Sequence, residues 1–273
     1  MIDINQRGLV VDKHSVSFRM YDRKFRQRDL EVVHELSIAV RPGEIVAIAG
    51  ASGSGKSVLA HSILGILPDN AFATDTIYYD GKLLSQRDKE SFRGRKITLI
   101  PQSVNYLDPL MTVGAQIITP AAGDGGKAGR RKKAAALLER YGLAGEVLDY
   151  YPFQLSGGMA RRVLVSSAAA CPAEMIIADE PTPGMDKKAV DETIRLFRQL
   201  ADEGRGIMLI THDIEMAVLA ANRVAVFREG TVIETVPAAA FSGDGSDLSH
   251  PFTRALYRAL PQNGFSGDFK EAV

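Results

Sequence analysis

The 273 residues are 45% apolar and 24% charged, an ordinary composition for a soluble globular protein with enough apolar mass for a sizeable core. Thirty-three basic residues balance thirty-three acidic ones, so no overall field draws the chain to nucleic acid or to an anionic membrane. The single cysteine, Cys171, excludes an internal disulfide and a cysteine-ligated cluster, and by default reads as a small core residue.

The opening residues MIDINQRGLVVDK carry Asp3 and Asp12 and lack the basic start and apolar stretch of an export signal. Apolar runs are all too short to span a bilayer. In chain order, strands are expected at LVVDKHSVSF, LSIAV, EIVAIAG, TIYYDG, KITLIP, EMIIAD, GIMLIT, RVAVFREG and TVIETV. Helical spacing falls between several of them, at SVLAHSILGIL, RKKAAALLERYGL, MARRVLVSSAAA, AVDETIRLFRQLADEG and IEMAVLAANR. This alternation predicts an α/β sheet, parallel in its middle, with antiparallel additions near the ends. Glycine-containing segments at 123–129 and 242–247 read as mobile linkers. The basic run Lys127 to Lys133 reads as a solvated helix face above an apolar stripe at Ala136, Leu137 and Leu138, with lipid headgroups as the alternative partner. HPFTRALYRAL predicts a docking helix with Pro251 in its first turn and Phe252, Ala255, Leu256, Ala259 and Leu260 on one face.

Gly50-Ala51-Ser52-Gly53-Ser54-Gly55-Lys56-Ser57 fits the phosphate-binding pattern G-x-x-x-x-G-K-[ST], after an expected strand and before an expected helix. Glycines let backbone N–H groups approach phosphate oxygens closely, Lys56 supplies charge to the β- and γ-phosphates, and Ser57 offers its hydroxyl to magnesium. EMIIADE ends a buried strand in Asp179, placed for magnesium, and Glu180, placed to orient or deprotonate an attacking water. Two successive carboxylates favour hydrolysis over transfer to a bound acceptor. Of Phe18, Tyr21 and Phe25 in VSFRMYDRKF, Tyr21 is favoured to stack on the base, although each aromatic alone reads as strand packing.

Leu155-Ser156-Gly157-Gly158-Met159, opening the helix that precedes EMIIADE, resembles the signature of ATP-binding cassette ATPases, and the resemblance runs from about Val11 to Leu260. It implies an α/β P-loop NTPase with a RecA-like mixed sheet core, an antiparallel β subdomain and an α-helical subdomain carrying the signature. The corresponding division is a single ABC ATPase domain over 1–273: 1–101 with 172–248 as nucleotide-binding core and β part, 102–171 as helical subdomain, and 249–273 as a short C-terminal helix and tail.

The same resemblance implies head-to-tail pairing, with the signature of one cassette closing over ATP and magnesium held by the other. It assigns Gln102 to the magnesium, the attacking water and the sensing of a transmembrane partner, Asp186 to a loop crossing the dimer interface, and His212 to the γ-phosphate. TPGMD departs from relatives around Asp186 through Pro183 and Gly184. LIPQSVNYLDPLMTVGAQI, YPFQLSGGM and HPFTRALYRALPQ resemble importers of dipeptides, oligopeptides and nickel. The implied assembly is peripheral to the cytoplasmic face of the cell membrane. It has a second, different ATPase subunit, two permease subunits, an extracytoplasmic solute-binding protein acting indirectly, and no nucleic acid. A short tail without cluster cysteines tilts the expectation toward nickel or a metal chelate. Alternatives are a non-transport cassette ATPase of DNA repair or translation, a P-loop kinase, and a silent, non-hydrolysing half of a heterodimer.

Overall fold

A computed structural model describes residues 2–21, 26–118 and 126–260. Strands β1 (Leu9–Tyr21) and β2 (Gln27–Val40) pair antiparallel from Leu9 opposite Val40 to Tyr21 opposite Gln27. Both run further than their apolar pattern indicated. The added residues are mostly exposed and Val33 is the one buried among them, so no alternating buried face marks them in sequence; cross-strand pairs line them up, Arg19 Nε lying 3.2 Å from Asp29 Oδ1.

Strand β3 (Ile45–Ala49) feeds helix α1 (Lys56–Leu64), which stops at Gly65, φ 64°, short of the expected Leu67. Strands β4 (Ala71–Ala73) and β5 (Ile77–Tyr79) join β1, and β6 (Lys82–Leu83) joins β5, completing an antiparallel sheet. Helix α2 (Gln86–Phe92) was unforeseen because it has no apolar stripe; Ser85 and Asp88 start it with a capping box.

After β7 (Ile97–Ile100) the chain forms helices α3 (Val113–Ile117), α4 (Gly126–Arg140) and α5 (Gly157–Ala170). Residues 126–129 are therefore the first turn of α4 rather than a linker, while 123–125 lie outside the described residues. Ala134 and Leu138 are the buried positions of α4 and Ala136 is exposed, correcting the expected stripe to an i, i+4 pair; Arg131, Lys132 and Lys133 do face solvent. Cys171 caps the end of α5 half-exposed instead of in the core, its thiol donating to the Gly94 carbonyl at 3.1 Å.

The remainder alternates: β8 (Met175–Asp179), α6 (Lys187–Asp202), β9 (Gly206–Thr211), α7 (Ile214–Ala220), β10 (Arg223–Arg228), β11 (Thr231–Pro237) and α8 (Pro251–Arg258). The second sheet has the order β11-β10-β3-β9-β8-β7, parallel throughout except for β11. Alternate residues of its central strands enter two cores. Ala47, Ala178 and Leu209 pack toward the helical side, and Val46, Ile177 and Met208 toward α1 and the antiparallel sheet. In α8 the most buried side chains are Thr253 and Tyr257 rather than the alanines of the expected face; Tyr257 meets Phe241 edge-on at 5.8 Å. Among the described residues no helix is long and apolar enough to cross a membrane.

The two layers meet polar chemistry at His14, which is fully buried between β1 and α1. One ring nitrogen lies 2.7 Å from Ser62 Oγ and the other 3.0 Å from Thr76 Oγ1. Burial foremost, then the charge of Lys89, lowers its pKa from 6.5 to about 4. The unfolded chain therefore takes up a proton that the folded chain refuses. The contribution of a neutral His14 to stability is fully present above pH 6.5 and is lost as pH drops toward 4. Between pH 7 and 5 the wild type should lose about 2 kcal/mol more than His14→Gln, from urea midpoints; equal losses would remove His14 as the cause.

Candidate functional site

Strands β3, β9, β8 and β7 lie side by side and parallel, and their carboxyl ends are nearly flush: Ala49 pairs with Thr211, Asp179 with Ile210, and Ile100 with Ala178. Each strand is followed at once by a candidate segment, so four stretches distant in sequence emerge along one sheet edge. They are the glycine-rich loop, Asp179–Glu180, Thr211–His212 and Pro101–Gln102. In open α/β sheets this edge is where ligands bind.

The loop is shaped by close approaches. A Cβ on Gly50 would lie 2.2 Å from the Phe227 carbonyl oxygen, and one on Gly55, φ 109°, would lie 2.9 Å from that of Val32. Only glycine fits either place. Gly55 is also the N-cap of α1 and brings no side chain to cover the first-turn N–H groups, which leaves them available to an anion. Lys56 is 5% exposed, and its ammonium donates to the carbonyls of Gly50 at 2.8 Å and Ala51 at 2.6 Å. Burial lowers its pKa, opposed by the charges of Glu180 and then Asp179.

Asp179 and Glu180 are 2% and 6% exposed. Desolvation raises the Asp179 pKa, with Ser57 pulling the other way and Glu180 adding to the rise. Its Oδ1 is buried without any hydrogen-bond partner. Glu180 takes up a left-handed backbone, φ 48°, which costs a non-glycine residue on the order of 1 kcal/mol. The Glu180 N–H donates to the Ile210 carbonyl, and His212 Nδ1–H donates to both carboxylate oxygens at 2.8 and 2.9 Å, so the conformation is held from two directions.

A cleft of about 230 Å³ opens over these groups. Ser52, Gly53, Gly55, Lys56 and Ser57 form one side, and Gln102, Asp179 and Glu180 another. Val32 and Val58 complete it; sequence reading missed both, because an isolated valine in a strand or helix carries no sign of what it faces. Tyr21 does not line this cleft. The long β1–β2 hairpin carries it outward to 64% exposure, where its hydroxyl accepts from Gln27 Nε2 at 2.8 Å, while Val32 of the same hairpin forms part of the cleft wall. Phe18 packs against the core, and Phe25 lies outside the described residues.

The signature segment stands apart from this cleft. Ser156 is the exposed N-cap of α5, accepting from the Met159 N–H at 3.3 Å, and Gly157 and Gly158 form the first turn. Leu155 and Met159 pack against the helical-side core. Asp186 caps α6 through the Ala189 N–H at 2.8 Å and likewise does not line the cleft.

Comparison with known proteins agrees with this geometry. The ABC transporter family matches residues 33–183. The dipeptide transport ATP-binding protein DppD of Escherichia coli (strain K12) is 37% identical over 93% of this chain and 78% of its own length. The oligopeptide transport ATP-binding protein AmiE of Streptococcus pneumoniae serotype 4 is 34% identical over 87% of this chain and 69% of its own. Among solved structures, a dimeric ATP-binding cassette in a post-hydrolysis state with ADP and Pi superposes with a TM-score of 0.74, at 26% identity, over 84% of this chain and 98% of that one. A family match spanning the glycine-rich loop and the acidic pair, on a fold shared with a cassette caught just after hydrolysis, makes this chain a member of the ABC transporter family and an ATPase.

Proposed function

We propose that the chain is the ATP-hydrolysing subunit of an importer of dipeptides or oligopeptides. In this reading it pairs with a second cassette, docks on two permease subunits at the cytoplasmic face of the cell membrane, and is served indirectly by an extracytoplasmic solute-binding protein. The cargo follows the printed functions of DppD and AmiE, dipeptide and oligopeptide transport; neither name bears on nickel or a metal chelate.

One observation carries the mechanism: the cleft contains a phosphate loop and two buried carboxylates, while the anion-competent start of α5 at Ser156 lies outside it. A single chain thus holds two incomplete parts, which head-to-tail pairing would join. The loop amides and Lys56 bind the β- and γ-phosphates; Ser156 with the Gly157 and Gly158 amides closes over the terminal phosphate of ATP on the other cassette. Glu180, fixed by His212, orients the water and accepts its proton. Asp186 lines the junction between cassettes.

The unpartnered Asp179 oxygen, with the Ser57 hydroxyl and the Gln102 amide beside the same cleft, is a hard-oxygen donor set that suits magnesium. Bound there, the cation would neutralise phosphate charge and polarise the terminal phosphoryl group. These three side chains would hold it.

The permease would sit near Gln102. Leu110 is 86% exposed and Phe153 78%, with Tyr151 stacked on Phe153 at 5.6 Å. The two segments are tied together by the Val113 N–H donating to the Tyr150 carbonyl at 2.8 Å. Apolar side chains held out from the surface in this way suit an apolar partner.

Three outcomes follow. Glu180→Gln should bind ATP with near wild-type affinity and accumulate as a dimer in sedimentation, with turnover lowered about 100- to 10,000-fold; wild-type turnover would refute the catalytic assignment. Asp179→Asn should weaken ATP binding at least about tenfold with magnesium, yet leave binding in EDTA nearly unchanged; equal losses would place the cation elsewhere. With Cys171→Ser as background, Leu110→Cys should cross-link to a membrane subunit in native membranes, and reaction with solvent reagents alone would remove the docking surface.

A further inference from the structure

Arg161 lies on α5 a little over one turn beyond the Ser156 cap and is only 8% exposed. No carboxylate pairs with it among the described salt bridges. Its Nη1 instead donates to the backbone carbonyls of Pro101, at 3.2 Å, and of Gln102, and its Nε is buried with no acceptor. Burial lowers its pKa, countered by the charges of Glu180 and then Asp179.

Keeping a cation in such a place is costly unless its donors are used, and an apolar side chain of similar volume would pack there more cheaply. What the guanidinium holds is specific. Both acceptors belong to the peptides flanking Gln102, in a segment that leaves β7 without regular structure until a short 3₁₀ turn. A planar guanidinium engaging two successive carbonyls constrains the direction of that backbone as well as its distance. The other end of the link is a helix of fourteen residues, stiff along its axis, whose first turn is the Ser156 cradle. Helix and guanidinium thus connect the Ser156 cap to the peptides on either side of Gln102.

We propose that Arg161 is a positioning residue that locks Gln102 to the signature helix, so that contact of Ser156 with ATP at one site of the paired cassettes sets Gln102 at the other. The transmission between sites rests on the paired reading above; the effect on Gln102 within one chain does not.

The test uses the full chain and two substitutions, Arg161→Met, which keeps the packing and removes the donors, and Arg161→Lys, which keeps charge and a donor. Arg161→Met should retain ATP affinity within about twofold while kcat falls about tenfold or more and the Hill coefficient for ATP drops toward one; Arg161→Lys should recover part of kcat. Hydrogen exchange should quicken in the segment holding Gln102 and stay unchanged elsewhere, and it can be read in Arg161→Lys even if Arg161→Met folds poorly. Unchanged kcat and cooperativity, or a loss of affinity, kcat and protection across the whole chain, would overturn the proposal. If Glu180→Gln stays monomeric with ATP, the paired reading fails; if it dimerises while Arg161→Met turns over cooperatively at the wild-type rate, only the role of Arg161 fails.

Discussion

Parallel pairing of β7, β8, β9 and β3, in a register that ends them together, is the constraint from which the site follows. Both faces of these strands are buried, so their alternating residues are committed to two cores and the register cannot slip by one place without exchanging them. Side chains just past the last paired residues are carried to one edge whatever their distance along the chain. Asp179 and Glu180, His212, Gln102 and the loop before Lys56 converge because the sheet leaves them no alternative.

The cost of that convergence is electrostatic. Lys56, Asp179 and Glu180 are each less than a tenth exposed, and Lys56 and Asp179 are both displaced toward their neutral forms, chiefly by burial. Opposite charges offset part of this penalty, and the left-handed backbone of Glu180 is sustained by His212 and Ile210. The unpartnered oxygen of Asp179 is the residue of the imbalance. A triphosphate with its cation would supply charges of both signs to this cleft.

Sequence showed most plainly what is local. The glycine-rich loop, the acidic pair after an apolar strand and the parallel-sheet alternation are each contained in a short window, and each occupies the expected place in the fold. Elements without an apolar period were hidden: α2 is held by its capping box, and the outer half of the β1–β2 hairpin by cross-strand pairs. The same extension carries Tyr21 beyond the cleft wall that Val32 forms, to an exposed position on the hairpin. Arg161 was equally illegible, because an arginine beside another arginine in a helix reads as surface until its carbonyl acceptors are seen.

Ser156 sits at the start of α5 and does not line the cleft of its own chain. Under the proposed head-to-tail pairing, its phosphate would belong to the nucleotide of a second cassette. A structure of the Glu180→Gln protein with ATP and magnesium bears on this most directly. Two cassettes are expected, Ser156 of each hydrogen-bonded to the terminal phosphate of the nucleotide seated on the phosphate loop of the other; an ATP-loaded assembly with Ser156 distant from every phosphate would rule out the head-to-tail site.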